Sequence, residues 1–194
     1  MLARYIKSCT IVFICIWLSG CVAVAGGAVA TGAVVANDRR TTGTFVEDQA
    51  IEIKAARELN SDTEIRDNTH ISITSYNTVV LMTGEAPSEE LRRKAVEIVR
   101  HVPAVTKVYN EIAVAAPSSY MSRSSDTMIT TKVKTKLFGQ EGLDATKVKV
   151  VTERGIVYLL GLLDEQEAGI ATEATRQVGG VQKVVKLFQP YSES

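Results

Sequence analysis

The sequence predicts an α+β protein of two tandem αββαβ units, each a three-stranded mixed sheet with two helices on one face. Three observations carry this: an internal repeat, apolar spacing that alternates between helical and extended periods, and turn residues between the periodic segments. "DQAIEIKAARELN" (48–60) aligns with "DTMITTKVKTKLF" (126–138), so Asp48 falls on Asp126, Ile51 on Ile129, Lys54 on Lys132 and Leu59 on Leu137. "ISITSYNTVVLMTGEAP" (71–87) aligns with "VKVVTERGIVYLLGLLD" (148–164), placing Gly84 on Gly161. "VPAVTKVYNEI" (102–112) aligns with "VGGVQKVVKLF" (178–188). The offset drifts only from 78 to 76 residues, as one-residue changes in turns would produce.

Each unit is read in the same order. Asp48 or Asp126 is expected as the N-cap of the first helix, whose inner stripe is Ile51, Ala55 and Leu59, or Ile129, Val133 and Leu137. Two β-branched runs follow, with tight turns expected at Tyr76-Asn77 and Glu153-Arg154. The second helix is expected over about Ser88–His101 and Glu165–Val178. Its apolar stripe is Leu91, Ala95, Ile98 and Val102, or Ala168, Ala171, Ala174 and Val178. A last strand runs through Val105 and Val108, or Val181 and Val184. The expected boundaries are 46–115 for the first domain, 116–125 for a Pro- and Ser-rich linker, and 126–194 for the second domain.

The N-terminal segment has a different grammar. Arg4 and Lys7 precede the apolar run "CTIVFICIWL" (9–18), which is too short to span a bilayer and reads as an export signal over residues 1–20. "LSGC" (18–21) resembles a bacterial lipobox, in which small residues admit the peptidase and Cys21 is the acylated thiol. Cys9 and Cys15 leave with the signal, so Cys21 is the one cysteine kept and no disulfide is expected. Val22 follows it rather than an aspartate, which in lipoproteins implies the outer membrane, with the periplasmic face as the default. Residues 21–45 are expected to be a lipidated Ala/Gly/Val tether that turns polar at its end.

Charge separates the two copies. The chain is neutral, with 22 basic and 22 acidic residues. Residues 46–115 hold eight basic and twelve acidic residues, a balance of −4, whereas 118–194 hold ten and nine, a balance of +1. From Thr127 to Gln140 there is no acid, while the matching helix of the first copy interleaves Glu52 and Glu58 with Lys54 and Arg57. A helical count puts Met128, Thr131, Lys132 and Thr135 opposite the apolar stripe, with Lys134 and Phe138 at the flank and Lys136 in the same basic run. One reading is a solvated lysine face. The other is a membrane-binding face, lysines meeting phosphates while apolar groups dip below them.

Nothing here points to catalysis. His70 opens a strand and His101 ends a helix, and no His/Cys/carboxylate set has metal-ligand spacing. The serines of "SSYMSRSS" lack the strand–turn–helix setting of a nucleophile, and no phosphate loop is present. No enzyme activity and no cofactor are expected.

Two αββαβ repeats behind a lipobox resemble the dual BON-domain lipoproteins, with "DTMITTKVKTKL", "VKVVTERGIVYLLGL" and "VYNEI" carrying the likeness. The resemblance implies binding of anionic phospholipids (phosphatidylglycerol, cardiolipin) in the inner leaflet of the outer membrane, in support of envelope integrity, and the charge pattern points to the first helix of the second domain as the contact. It also leaves open an adaptor that binds envelope proteins such as the barrel-insertion (outer-membrane assembly) machinery. Family members often carry an aromatic residue at the position of Met128, so shallower insertion is expected here.

Overall fold

The computed structural model describes residues 38–116 and 120–191, the side chains of 120–122 excepted. The signal segment, Cys21 and the tether as far as residue 37 lie outside the described residues. No helix among the described residues is long and apolar enough to cross a membrane.

The first half runs α1 (Thr42–Ser61), α2 (Thr63–Asn68), β1 (His70–Tyr76), β2 (Val79–Ala86), α3 (Glu89–Arg100) and β3 (Lys107–Val114). The second runs α4 (Tyr120–Phe138), a 3₁₀ turn (Ala145–Lys147), β4 (Lys149–Glu153), β5 (Ile156–Leu163), α5 (Glu165–Arg176) and β6 (Lys183–Pro190). In each sheet the central strand, β2 or β5, pairs antiparallel with the strand before it and parallel with the strand after it. The predicted αββαβ order and mixed sheets are therefore present. The short helix α2 and the 3₁₀ turn, at matching places in the repeat, are additions.

Asp48 and Asp126 are not N-caps. Helix α1 begins at Thr42, where the Thr41 hydroxyl accepts the Thr44 N–H at 3.0 Å, and α4 begins at Tyr120, inside the 116–125 segment. Both aspartates lie within their helices, buried, and reach sideways to the hairpin. Asp48 accepts the Asn77 and Thr78 amides at 2.7 and 2.8 Å and the Ser75 hydroxyl at 2.7 Å. Asp126 accepts the Arg154 and Gly155 amides, each at 2.8 Å. The turns accordingly fall one residue later than expected, on Asn77-Thr78 and Arg154-Gly155, all four at positive φ. Paired left-handed residues suit the twist of a two-residue hairpin, and one carboxylate satisfies both of their exposed amides. A charge-assisted bond to each amide helps hold Thr78, a β-branched residue, in a conformation it otherwise avoids.

The remaining caps follow the sequence. Ser88 caps α3 by accepting the Leu91 amide, and Asp164 with Glu167 forms a reciprocal capping box on α5. Each half then has its own core between helices and sheet. One gathers Ile51, Ala55, Leu59, Val80, Met82, Leu91, Ala95 and Val99; the other gathers Ile129, Val133, Leu137, Val157, Leu159, Ala171 and Ala174. On α3, Val99 takes the buried place expected for Ile98, which packs half-buried beside it.

A third cluster joins the halves. Tyr76 and Leu81 meet Tyr158, Leu160 and Leu187, with Tyr109, Val151 and Leu162 at the margin. These residues occupy the sheet faces turned away from the helices, so the sheets pack back to back and the helices lie outside. Polar bonds cross the same seam: Asn77 Nδ2 donates to Gln189 Oε1 at 2.7 Å, and Tyr158 Oη donates to Glu111 Oε2 at 3.3 Å. Burial, and then the charge of Asp38, push the Tyr76 phenol up to about 12.

One end of the seam is closed by residues expected in the tether. Arg40 pairs with Asp38 at 2.6 Å and with Asp48 at 2.8 Å, and its guanidinium lies over the Tyr76 ring, 4.1 Å from the centroid. Arg39 pairs with Glu167, donates to the Leu162 carbonyl at 3.0 Å and stacks on Tyr191. Adjacent arginines thus fasten the first half to the second, each with its side chain nearly buried.

Candidate membrane-contact helix

Helix α4 is held by its inner face. Ile129, Val133 and Leu137 recur every four residues and are almost completely buried against the second sheet. Asp126 is the one acid in the helix, and it is turned inward onto the β4–β5 turn. Everything charged that α4 presents outward beyond that point is positive.

Every residue expected at the contact is exposed: Met128, Thr131, Lys132, Lys134, Thr135, Lys136 and Phe138. Met128 is 59% and Phe138 67% accessible, among the few large apolar side chains left so open among the described residues. At about 100° per residue, Phe138, Thr131, Thr135 and Met128 form one strip roughly 80° wide. Lys132 and Lys136 border the strip on one side and Lys134 on the other. The threonine hydroxyls do not compete for water: Thr131 Oγ1 donates to the Thr127 carbonyl and Thr135 Oγ1 to the Thr131 carbonyl, each at 3.0 Å. With the hydroxyls committed to the backbone, the strip offers methyl groups, a thioether and a phenyl ring between rows of ammonium groups.

None of the three lysines forms an ion pair among the described residues. The first copy keeps a lysine, Lys54, at the place of Lys132 but differs at other points. Ala50 stands where Met128 does, Arg57 at Thr135, Glu58 at Lys136 and Asn60 at Phe138, while Glu52 is 3.9 Å from Lys149 and accepts the Ser75 amide.

The structure adds one cation that the sequence did not suggest. Arg154, whose amide is fixed by Asp126, lines with Met128 and Lys132 an open groove of about 780 Å³. A second groove of about 420 Å³ runs between Thr131, Lys132, Thr135 and Lys136 and the end of α5 at Gln177 and Val178. Arg154 was expected in the turn but not at the contact, because only the bonds from Asp126 to the turn amides bring the turn against α4. Its signal is the comparison of copies, where Asn77 occupies the matching turn position.

The metal and histidine expectations are simply placed. Among the described residues no group of three or more His, Cys, Asp or Glu is arranged to hold a metal ion. His101 is exposed at the end of α3, its Nδ1 2.8 Å from the Glu97 carbonyl, and His70 stands on β1 with Nε2 3.5 Å from Arg123.

The model of the BON domain matches residues 47–116 and again 125–189, one match for each αββαβ half. The chain belongs to the BON-domain family. Among its relatives is the outer membrane lipoprotein DolP of Haemophilus influenzae, 37% identical over 174 residues, covering 90% of each chain. A 21 kDa hemolysin of Actinobacillus pleuropneumoniae is 37% identical over 151 residues, 78% of each chain. The osmotically-inducible protein Y of Escherichia coli is 31% identical over 156 residues, covering 79% of this chain and 77% of its own. The resemblance read from the repeats and the lipobox is thereby shown at the level of family and fold.

Proposed function

We propose that this BON-domain protein is a peripheral phospholipid-binding module of the outer membrane, bearing on the bilayer through the outer face of α4. The protein is an outer-membrane lipoprotein, in keeping with its DolP relative, and Cys21 is its proposed acylation site. With each buried CH₂ contributing about 0.8 kcal/mol, several acyl chains at Cys21 keep the folded part permanently near the leaflet. Helix α4 has only to orient and hold it there.

The observation that carries the reading is the strip of Met128, Thr131, Thr135 and Phe138 between lysines that form no ion pair among the described residues. Each lysine contributes roughly 1 kcal/mol near an anionic surface, so Lys132, Lys134, Lys136 and Arg154 together supply about 4 kcal/mol toward phosphatidylglycerol or cardiolipin. The apolar groups then enter the headgroup zone without breaking a hydrogen bond. A solvated lysine face explains the charge but leaves Met128 and Phe138 without a purpose. Catalysis has no part in this proposal, nor does a cofactor.

The test is NMR shift mapping of the folded part, from residue 38 onward, with anionic and with zwitterionic micelles. Perturbations should centre on α4 and the Arg154 turn with anionic micelles and vanish with zwitterionic ones. Shifts centred on the first half overturn the reading. The rival, an adaptor for the outer-membrane assembly machinery, draws on the acidic first half. Photo-crosslinking in cells from residues 128 and 58 distinguishes them, with lipid adducts at 128 under the first reading and a defined protein adduct at the exposed position 58 under the second.

A further inference from the structure

Helix α4, the β4–β5 turn and the loop between α5 and β6 meet around the groove of about 780 Å³. Lys132 reaches it from the helix and Arg154 from the turn; both are exposed and in no ion pair among the described residues. The loop contributes Gly179 and Gly180, which, having no side chains, present only backbone to the groove. The amides around them are committed. Val178 donates to the Thr175 carbonyl at 3.1 Å, Val181 to the Val178 carbonyl at 3.2 Å, and Gln182 to the Gly155 carbonyl at 2.8 Å. The Gly179 and Gly180 amides donate to no acceptor among the described residues. Gly180 has φ +103, and a Cβ there would lie 3.1 Å from Ile129 Cγ1, so the loop is pressed onto α4 in a left-handed turn. Successive amides in such a turn make a concavity suited to an anion.

The first half follows the same backbone path without these donors. It keeps Lys54 at the place of Lys132, but Asn77 stands at Arg154, Pro103 at Gly179 and Thr106 at Gln182. Proline has no N–H to offer. The Thr78 and Thr106 hydroxyls are hydrogen-bonded to each other at 2.9 Å, tying the turn to the loop. In the second half Asp126 also lines the groove, yet both its oxygens accept turn amides at 2.8 Å. Two cations against one carboxylate leave a single positive charge, which matches a phosphodiester, and neutral N–H donors then add charge-assisted bonds to its oxygens.

We propose that this groove is a headgroup subsite, taking the phosphodiester of one anionic glycerophospholipid on Lys132, Arg154 and the Gly179 and Gly180 amides. Met128 lines the same groove, so a lipid held there has its glycerol beside the apolar strip of α4. The inference rests on the membrane-facing reading of α4 and adds to it a place where one lipid is bound singly rather than by diffuse attraction.

The test is NMR titration of the full chain in nonionic detergent with glycerophosphoglycerol, the deacylated headgroup of phosphatidylglycerol, and separately with inorganic phosphate. Glycerophosphoglycerol should give saturating shifts at the Gly179 and Gly180 amides and the Arg154 side chain, and bind more tightly than inorganic phosphate. Gly179→Pro, which copies Pro103, should weaken it about fivefold, the worth of one hydrogen bond. Gly179→Ala keeps the N–H, and a Cβ there meets nothing within 4 Å, so it should bind as the wild type does. Arg154→Asn, which copies Asn77, should weaken binding about tenfold or more. Absent or unsaturable loop shifts, a Gly179→Pro that binds normally, or a Gly179→Ala that loses as much as Gly179→Pro each overturns the subsite. Inorganic phosphate binding as tightly as the headgroup makes the groove a free-phosphate site and overturns the lipid assignment. The two readings fail separately: anionic micelles that shift α4 while the headgroup leaves the loop unmoved sink the subsite alone. Headgroup shifts in the loop with α4 unmoved by micelles sink the membrane reading and the lipid assignment with it.

Discussion

Under the proposed function, reversing two charges on α4 should separate membrane binding from folding. Lys132 and Lys136 are exposed and in no ion pair among the described residues, so Lys132→Glu with Lys136→Glu breaks no bond to a carboxylate. Lysine and glutamate have similar helix propensity, so the backbone is little affected. One cost is local: Lys136 lies in the last turn of α4, where a negative charge opposes the helix dipole by about 0.3–1 kcal/mol. Thermal unfolding should shift by only a few degrees.

The effect on the membrane is much larger. Two attractions of roughly 1 kcal/mol each are lost and two repulsions of similar size appear, about 4 kcal/mol in all. That is a fall of about a thousandfold in partitioning. Co-flotation of residues 38–194 with phosphatidylglycerol vesicles measures it, and phosphatidylcholine vesicles give the baseline. At about 1 M salt the Debye length falls to roughly 3 Å and the two proteins should converge. Lys134→Glu alone, on the other side of the strip, should cost about 2 kcal/mol by the same reasoning. Unchanged flotation of the double variant refutes the assignment of this helix; equal loss from phosphatidylcholine refutes the electrostatic account.

Other expectations follow from single contacts. Met128→Trp should tighten binding to anionic vesicles about fivefold, because an indole settles in the headgroup zone more firmly than a thioether; a blue shift of its fluorescence on adding vesicles reads the insertion. Gly84 has φ +111, and a Cβ there would lie 1.9 Å from the His70 carbonyl oxygen, so Gly84→Ala should destabilise the first half by about 4 kcal/mol or more. Gly161→Ala, 2.7 Å from the Lys147 carbonyl oxygen without positive φ, should cost less, and urea unfolding ranks the two. Arg40→Ala strips the buried Asp48 and Asp38 of their cation and should cost about 3 kcal/mol in the same assay.

The helix interiors were legible because their cores obey a period: Ile129, Val133 and Leu137 could be buried only together. The outer face of α4 was legible for another reason, since the first copy supplied an internal reference with its acids retained. Asp48 and Asp126 were misread because an aspartate ahead of an apolar stripe has the same local pattern whether it caps a helix or reaches to a neighbouring turn. Only the third dimension distinguishes them, and the turn positions shifted with that error. The seam left a fainter trace. All eight residues of β2 are buried, and "VVLM" and "IVYLL" are apolar at both parities, as strands covered on both faces are. Glu85 and Thr83 within β2 break that run and hide it.

The seam explains why the unit is doubled. An αββαβ unit covers one sheet face with its own helices and leaves the other bare, and in the second half that bare face carries Tyr158, Leu160 and Leu187. Burying side chains of this size contributes about 1.5–3 kcal/mol each, and exposing them together makes a patch suited to aggregation. The first half supplies the cover, and its acids are no obstacle because Tyr76 and Leu81 do the covering. Helix α4 packs on the opposite face of the second sheet, so its outer strip is turned away from the apolar seam. At one position of the repeat the first copy carries Glu58 and the second Lys136, and under the proposed function that is where a scaffold and a membrane face part.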